Sequence, residues 1–227
     1  MASDMVLYWG SGSPPCWRVQ VVLEEKKLQG YKSKLLSFEK GEHKSAEVLA
    51  LNPRGQLPTF KDGTTVINES LGICLYLENK YKTKGTQLIC DDPKEYAAVY
   101  QKILESNNII QRIGDIMQYS RRVPESERTE AGLQRLMEAL SEELKFWEGY
   151  VQKMGAGSHI AVKNFTMADA VIFPIIAALF RFGVSQDKYP NLAKYYNSVK
   201  SRPSIQATWP PHWKENPDAV MDMLKNV

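Results

Sequence analysis

An α/β unit followed by an all-helical unit is the fold that this sequence predicts. Three observations carry the expectation. Short apolar runs alternate with helical stretches over the first ~80 residues. From about residue 90 onward helical periodicity alone remains. Between the two lies a polar stretch, Lys82-Thr-Lys-Gly-Thr86, and behind it Asp91-Asp92-Pro93 is a helix-start signal. The expected boundaries are residues 1–83 for the first domain, 84–92 for a linker and 93–227 for the helical domain.

Taken in order, Met5–Trp9 is an apolar run that reads as a strand. Pro15–Leu28 reads as a helix, with Val19, Val22 and Leu23 on one face and charges at Glu24–Lys27. Tyr31–Ser37 alternates and reads as a second strand. Ser45–Leu51 is a short helix stopped by Asn52-Pro53, because the residue before proline avoids the α region. Leu57–Phe60 and Thr64–Ile67 are short strands around the turn Lys61-Asp62-Gly63, and Ser70–Tyr81 is an amphipathic helix. The predicted order is βαβ–α–ββα. In the second half Val99, Ile103, Ile110, Ile113 and Met117 recur at helical spacing, as do Leu133, Leu136, Met137, Leu140, Leu144, Trp147 and Val151. Thr166-Met-Ala-Asp169 has the form of a capping box with Asp in place of Glu. The helix behind it, Ala168–Phe182, is apolar almost all round and is expected to be buried. Arg202-Pro203 marks a late break, and the tail from Trp209 is rich in proline and tryptophan.

With 43% hydrophobic and 24% charged residues in 227, the chain has globular composition. A formal charge of +3 without a dense basic cluster argues against nucleic acid as a partner. Cys16, Cys74 and Cys90 form neither a disulfide framework nor a C-x-x-C pair, which fits a reducing compartment. Met1–Gly10 lacks the features of a secretory signal, and the apolar run Ala170–Phe180 is too short to span a bilayer. The expectation is a cytoplasmic protein that does not engage membranes, so the sequons at Asn68 and Asn164 carry no sugar. His43, His159 and His212 have no metal spacing, and no metal is expected; His159 and His212 read as surface residues.

Chemistry points to the loop Gly10-Ser-Gly-Ser-Pro-Pro-Cys-Trp-Arg18, between the first strand and the first helix. The spacing of Gly10 and Gly12 would need a third glycine at 15 to make a dinucleotide fingerprint, and Pro15 stands there. In redox βαβ units a C-x-x-C at this place exposes its first cysteine at the helix N-terminus, where the dipole lowers its pKa. Here the tetrapeptide is Ser13-Pro-Pro-Cys16. The exposed place holds a serine, and Cys16 falls at the buried one, where an unpaired cysteine packs as a small hydrophobe. A serine with no base nearby is a weak nucleophile. Its hydroxyl can instead donate a hydrogen bond to an anion that a ligand supplies.

Four further stretches, in order and over nearly the whole chain, resemble the cytosolic glutathione transferases: Gly41-Glu-His-Lys-Ser45, Asn52-Pro-Arg-Gly-Gln-Leu-Pro58, Asn68-Glu-Ser70 and Phe165-Thr-Met-Ala-Asp169. The first three are close to the phi-class pattern, Ser13-Pro-Pro-Cys16 resembles the theta and delta classes, and Trp17-Arg18-Val19 resembles zeta. The whole looks most like the serine-type rho class of aquatic animals. The resemblance implies a thioredoxin-like glutathione domain, a helical domain, a homodimer, and glutathione as co-substrate with no other cofactor. It implies that Pro58 is a cis-proline holding the Leu57 backbone against the cysteinyl part of glutathione. Ser70 and Glu69 would meet the γ-glutamyl carboxylate and ammonium, His43 and Lys44 the glycine carboxylate, and Gln56 the peptide backbone. Small hydrophobic electrophiles would lie against Ser11, Gly12, Met117, Tyr119, Arg121, Trp209 and Trp213. Thr166 and Asp169 cap the core helix. The alternative is a non-catalytic ligand-binding or dimerisation module of the same family. A thioltransferase working through cysteine would need that cysteine at position 13.

A thiol of pKa ~8.5 is about 3% ionised at pH 7, and a two-unit drop needs about 2.7 kcal/mol. A hydroxyl donating to the thiolate supplies ~1.5–3 kcal/mol, and a helix N-terminus ~0.3–1 kcal/mol. Together they suffice without a base. Ser13 is the expected donor by its register in the motif; Ser11, two residues earlier, is the competing candidate.

Overall fold

The computed structural model describes residues 4–155 and 159–227, with the side chains of Ser120 and Arg121 left aside. The chain divides into two units by its internal contacts: Met1–Cys90 with Lys200–Asp218, and Asp91–Val199 with Ala219–Val227.

The first unit follows the predicted order. Strand β1 (Met5–Trp9) leads to helix α1 (Pro14–Glu25), β2 (Lys32–Leu35), a short helix α2 (Ala46–Leu51), β3 (Thr59–Asp62), β4 (Thr65–Ile67) and α3 (Ser70–Lys80). The sheet order is β2-β1-β3-β4. Strand β2 lies parallel to β1, as a connection through α1 requires, while β3 runs antiparallel to both β1 and β4. Helices α1 and α3 pack against each other. They bury Val19, Val22 and Leu23 of α1 with Ile73, Cys74 and Leu77 of α3. Strand β3 starts two residues later than the Leu57–Phe60 run because Leu57-Pro58 is a cis peptide bond outside the ladder.

Two departures from the sequence reading concern the edges of this unit. The stretch expected to be a linker is stitched down. The Leu88 and Ile89 amides donate to Glu78 at 2.9 and 3.3 Å, and Thr86 N–H donates to the Glu25 carbonyl at 2.8 Å. The fully buried Lys26 ammonium lies 2.8 Å from Glu78 and donates to the Thr86 carbonyl at 3.0 Å. Gly85, at φ +58°, lies so close to the Glu25 backbone that no side chain would fit there. Residues 200–218, counted above with the helical half, belong to the first unit, through helices α8 (Pro203–Ala207) and α9 (Pro211–Glu215). The physical reason is Trp17. Its indole N–H donates to the Thr208 hydroxyl at 2.9 Å, and its ring meets Trp209 and Trp213 edge-on at 5.2 and 5.5 Å.

The second unit is helical: α4 (Pro93–Arg122), α5 (Glu130–Met154), α6 (Met167–Arg181) and α7 (Pro190–Val199). Residues Met167–Phe180 of α6 are all buried, as expected of an all-round apolar helix. Asp169 accepts from the Thr166 amide at 2.8 Å, the Ile160 amide at 2.9 Å and the Tyr195 hydroxyl at 3.1 Å. On α4 Val99, Ile103 and Ile113 are buried as expected, but Ile110 and Met117 give way to their neighbours. Ile109 and Ile116 are buried, while Met117 is 48% exposed. No helix among the described residues is long and apolar enough to cross a membrane.

Candidate functional site

Between β1 and α1 the chain makes one turn, closed by the Ser13 amide donating to the Gly10 carbonyl at 3.3 Å. Gly12, its third residue, has φ +75°, the conformation that a type II turn requires there. Ser13 is the N-cap of α1, yet its hydroxyl makes no cap bond. The prolines explain this. A cap oxygen accepts from the second or third amide of the helix. Pro15 has none, and the Cys16 and Trp17 amides both donate to the Ser13 carbonyl, at 3.0 and 2.9 Å. The end of α1 therefore brings its dipole but no spare amide to point at an anion. The side-chain donors of the turn are the hydroxyls of Ser11 and Ser13, both half-buried.

The Ser13 hydroxyl favours the ionised form of the neighbouring Cys16 sulfur, and the Gly10 amide donates to the same atom at 3.4 Å. Burial pushes the Cys16 thiol up to about 11 against the lowering effect of these groups, and the Cys74 thiol up to about 12. Both thiols stay protonated at neutral pH, and Cys16 is packing, as the sequence reading has it.

The cis Leu57-Pro58 bond sits beside this turn, because Thr59 pairs with Tyr8 near the end of β1. Asn52 holds its approach. Its amide donates to the Gln56 carbonyl at 2.9 Å and the Thr59 hydroxyl at 3.2 Å, and its oxygen accepts from the Arg54 amide at 3.2 Å. The Gln56 side chain is exposed. Among the described residues no main-chain bond engages Leu57, so its backbone can pair with an extended peptide. The Lys44 ammonium donates to the Arg54 carbonyl at 2.8 Å, with hydrogens to spare. The half-buried His43 ring lies 5.3 Å from that of Phe38, and its Nδ1 has no partner among the described residues. Phe38 in turn covers Gly10 too closely for any side chain there.

Helix α3 opens with Glu69, exposed at the N-cap without a cap bond, and Ser70, buried. Behind Ser70 stands a residue whose part the sequence reading missed. Arg18, 2% exposed, donates from Nη1 to the Ser70 hydroxyl oxygen at 3.3 Å, while its Nε and Nη2 find no partner among the described residues. Burial pulls its pKa down to about 10, so it remains charged at neutral pH. The guanidinium occupies one lone pair of Ser70 and leaves the hydroxyl hydrogen free to donate elsewhere. The available signal was a lone charge between Trp17 and Val19.

The remaining candidates separate. Trp213 is 5% exposed and, with Trp209, packs on Trp17, so Trp213 pins the tail. His212, read as a surface residue, is exposed, but its Nδ1 lies 2.6 Å from the Ser11 hydroxyl oxygen. A Cβ on Gly12 would stand 2.7 Å from the His212 ring. His159 bonds the Lys163 carbonyl through Nδ1 at 2.8 Å. In the second unit, the Tyr119 hydroxyl accepts from the Thr129 amide at 3.1 Å and donates to its carbonyl at 3.2 Å, tying the end of α4 to the start of α5. The Arg121 side chain lies outside the described residues. Among the described residues no group of three or more His, Cys, Asp or Glu is placed to hold a metal ion.

A mixed four-stranded sheet with a cis-proline beside the first helix start is a thioredoxin-like fold, here joined to a helical unit. The family model for the glutathione S-transferase N-terminal domain matches residues 12–80, and that for the C-terminal domain matches residues 107–208. Glutathione S-transferase A of Pleuronectes platessa is 57% identical over 227 residues, all of both chains. The crystal structure of a glutathione S-transferase from the Antarctic clam Laternula elliptica has a TM-score of 0.83 and 44% identity, covering 97% of this chain and 100% of that one. A glutathione transferase of Phanerochaete chrysosporium, solved in complex with oxidized glutathione, has a TM-score of 0.78 and 26% identity, with 94% and 96% of the two chains covered. The chain belongs to the glutathione S-transferase family.

Proposed function

We propose that this protein is a serine-type, rho-class glutathione transferase of the cytoplasm, active as a homodimer, that conjugates glutathione to small hydrophobic electrophiles. The observation that carries the reading is Ser13: an N-cap hydroxyl that does not cap. Its electrostatic neighbour is the Cys16 sulfur, a weak acceptor that an incoming thiolate outcompetes. In this reading Leu57 pairs with the cysteinyl backbone of glutathione. Ser70 donates to the γ-glutamyl carboxylate and Glu69 meets the ammonium. His43 and Lys44 take the glycine carboxylate, and Gln56 bonds the peptide. The electrophile lies against Ser11, Gly12 and Trp209. Ser13 donates to the sulfur and is never itself deprotonated. The thiolate attacks the electrophilic carbon, and the leaving group departs or, with an epoxide, becomes an alkoxide that takes a proton from solvent.

Kinetics of Ser13→Ala and Ser11→Ala against pH, with retention on immobilised glutathione, test the reading. Ser13→Ala is expected to bind glutathione, to raise the kinetic pKa and to lose roughly tenfold or more in turnover. A loss confined to Ser11→Ala would reassign the donor. A wild-type protein that passes through the glutathione column would favour the non-catalytic module.

A further inference from the structure

Ser11 and His212 stand 201 residues apart in sequence, yet Oγ and Nδ1 lie 2.6 Å apart. Two features of the turn make room for the contact. Gly12 holds φ +75°, and its missing side chain lets the imidazole lie against the turn, with Cε1 2.7 Å and Nε2 3.2 Å from where a Cβ would be. The indole nitrogen of Trp213 closes the other side, 3.3 Å from the same point.

A hydrogen bond between a hydroxyl and an imidazole nitrogen runs in either direction. If Ser11 donates to Nδ1, its one hydrogen is used, and only lone pairs face any other neighbour. If Nδ1–H donates to Oγ, the Ser11 hydrogen is free for a second acceptor. An anion beside the turn selects the second arrangement, because a hydrogen bond to a charged acceptor is stronger than one to a neutral nitrogen. This matters because Pro14 and Pro15 deprive the helix start of spare amides. The hydroxyls of Ser11 and Ser13 are the side-chain donors that the turn itself retains.

We infer that His212 is a positioning residue that fixes the Ser11 hydrogen bond so that Ser11, beside Ser13, is a second hydroxyl donor to the glutathione thiolate. The inference rests on the proposed glutathione site and goes beyond it by giving the thiolate two donors, one of them set by the tail. No proton need leave His212 for this. The step is a choice of tautomer, with the imidazole carrying its hydrogen on Nδ1 whenever the sulfur is ionised.

The test is the ultraviolet absorbance of the thiolate in the full-length protein saturated with glutathione, at one fixed pH below the wild-type midpoint. It is compared for wild type, Ser11→Ala, His212→Phe, His212→Asn and the double variant Ser11→Ala/His212→Phe. His212→Phe keeps a ring over Gly12 but has no donor, whereas His212→Asn restores an N–H donor near the position of Nδ1. Ser11→Ala and His212→Phe are each expected to lower the acid constant of the bound thiol by about three- to tenfold. The double variant is expected to lower it no further, and His212→Asn to recover most of it. Unchanged ionisation in His212→Phe, losses that add in the double variant, or a change only in KM for the electrophile would each overturn the inference. A wild type that holds no ionised glutathione would overturn the glutathione reading as well, so the two failures are told apart.

Discussion

Arg18 is charged, almost wholly buried and, among the described residues, met by the hydroxyl of Ser70 alone. A guanidinium left with unpaired N–H groups in the interior costs stability. Its retention makes physical sense if the positive charge serves Ser70 and an anion bound at the start of α3. Arg18→Met is therefore expected to weaken glutathione binding by about tenfold in titration calorimetry, the effect of one charge-assisted contact. Its melting temperature should hold or rise, because an apolar chain of similar length removes an unpaired charge. Lower stability with unchanged affinity would show a purely structural arginine. Ser11 and Ser13 illustrate how far the sequence could be read at this scale. The motif register singled out Ser13, but nothing local showed that the Ser11 hydroxyl meets an imidazole from the far end of the chain.

Elements whose periodicity is strict were readable, and those with choices were not. Strand β1 and helices α1 and α3 lie where their apolar runs put them. On α4 the predicted stripe passed through Ile110 and Met117, whereas burial falls on Ile109 and Ile116. At 3.6 residues per turn, spacings of three and four both keep to one face, and two adjacent isoleucines at 109 and 110 leave that choice to packing. Helix α6 shows the opposite case, where Thr166 and Asp169 declared its start. Asp169 accepts from two buried amides, of Thr166 and Ile160, and from two buried hydroxyls, of Thr166 and Tyr195. Burial still raises its pKa despite those bonds. Asp169→Ala strands these donors and is expected to cost about 3 kcal/mol or more in urea unfolding. A loss below about 1 kcal/mol would mean that water or a shifted turn replaces the carboxylate.

At the scale of the molecule, the composition of the first unit is what the sequence concealed. Arg202-Pro203 marks a break in the helical patterning, but nothing local shows that residues 200–218 return to the sheet-bearing unit. Their contacts with Trp17 and Glu25 join positions far apart in the chain. Burial alone would push the Glu25 carboxyl up. Hydrogen bonds from Arg202, Ser204 and Thr86 outweigh it and hold the pKa below the ordinary carboxylate range. The Arg202 contacts are 2.6 and 2.9 Å. A depressed folded pKa adds stability above the unfolded value, near ~4.3, and loses it as the pH falls through the lower folded value. This clasp is thus intact at neutral pH and weakens only in acid, below about pH 4. Stability measured against pH should show a shallower acid limb in Glu25→Gln than in wild type; identical limbs would remove Glu25 from the account.

The discontinuous first unit also sets an order of events during synthesis. Domains ordinarily fold as they leave the ribosome, the N-terminal one first. Here the sheet and its two helices emerge early, but Trp17 and Glu25 wait for Arg202, Thr208, Trp209 and Trp213. The earlier-made unit is completed only after the later-made helices α4 to α7 have been translated, so a nascent chain stalled within them carries an open edge on its first unit, with an indole uncovered and a carboxylate lacking its arginine.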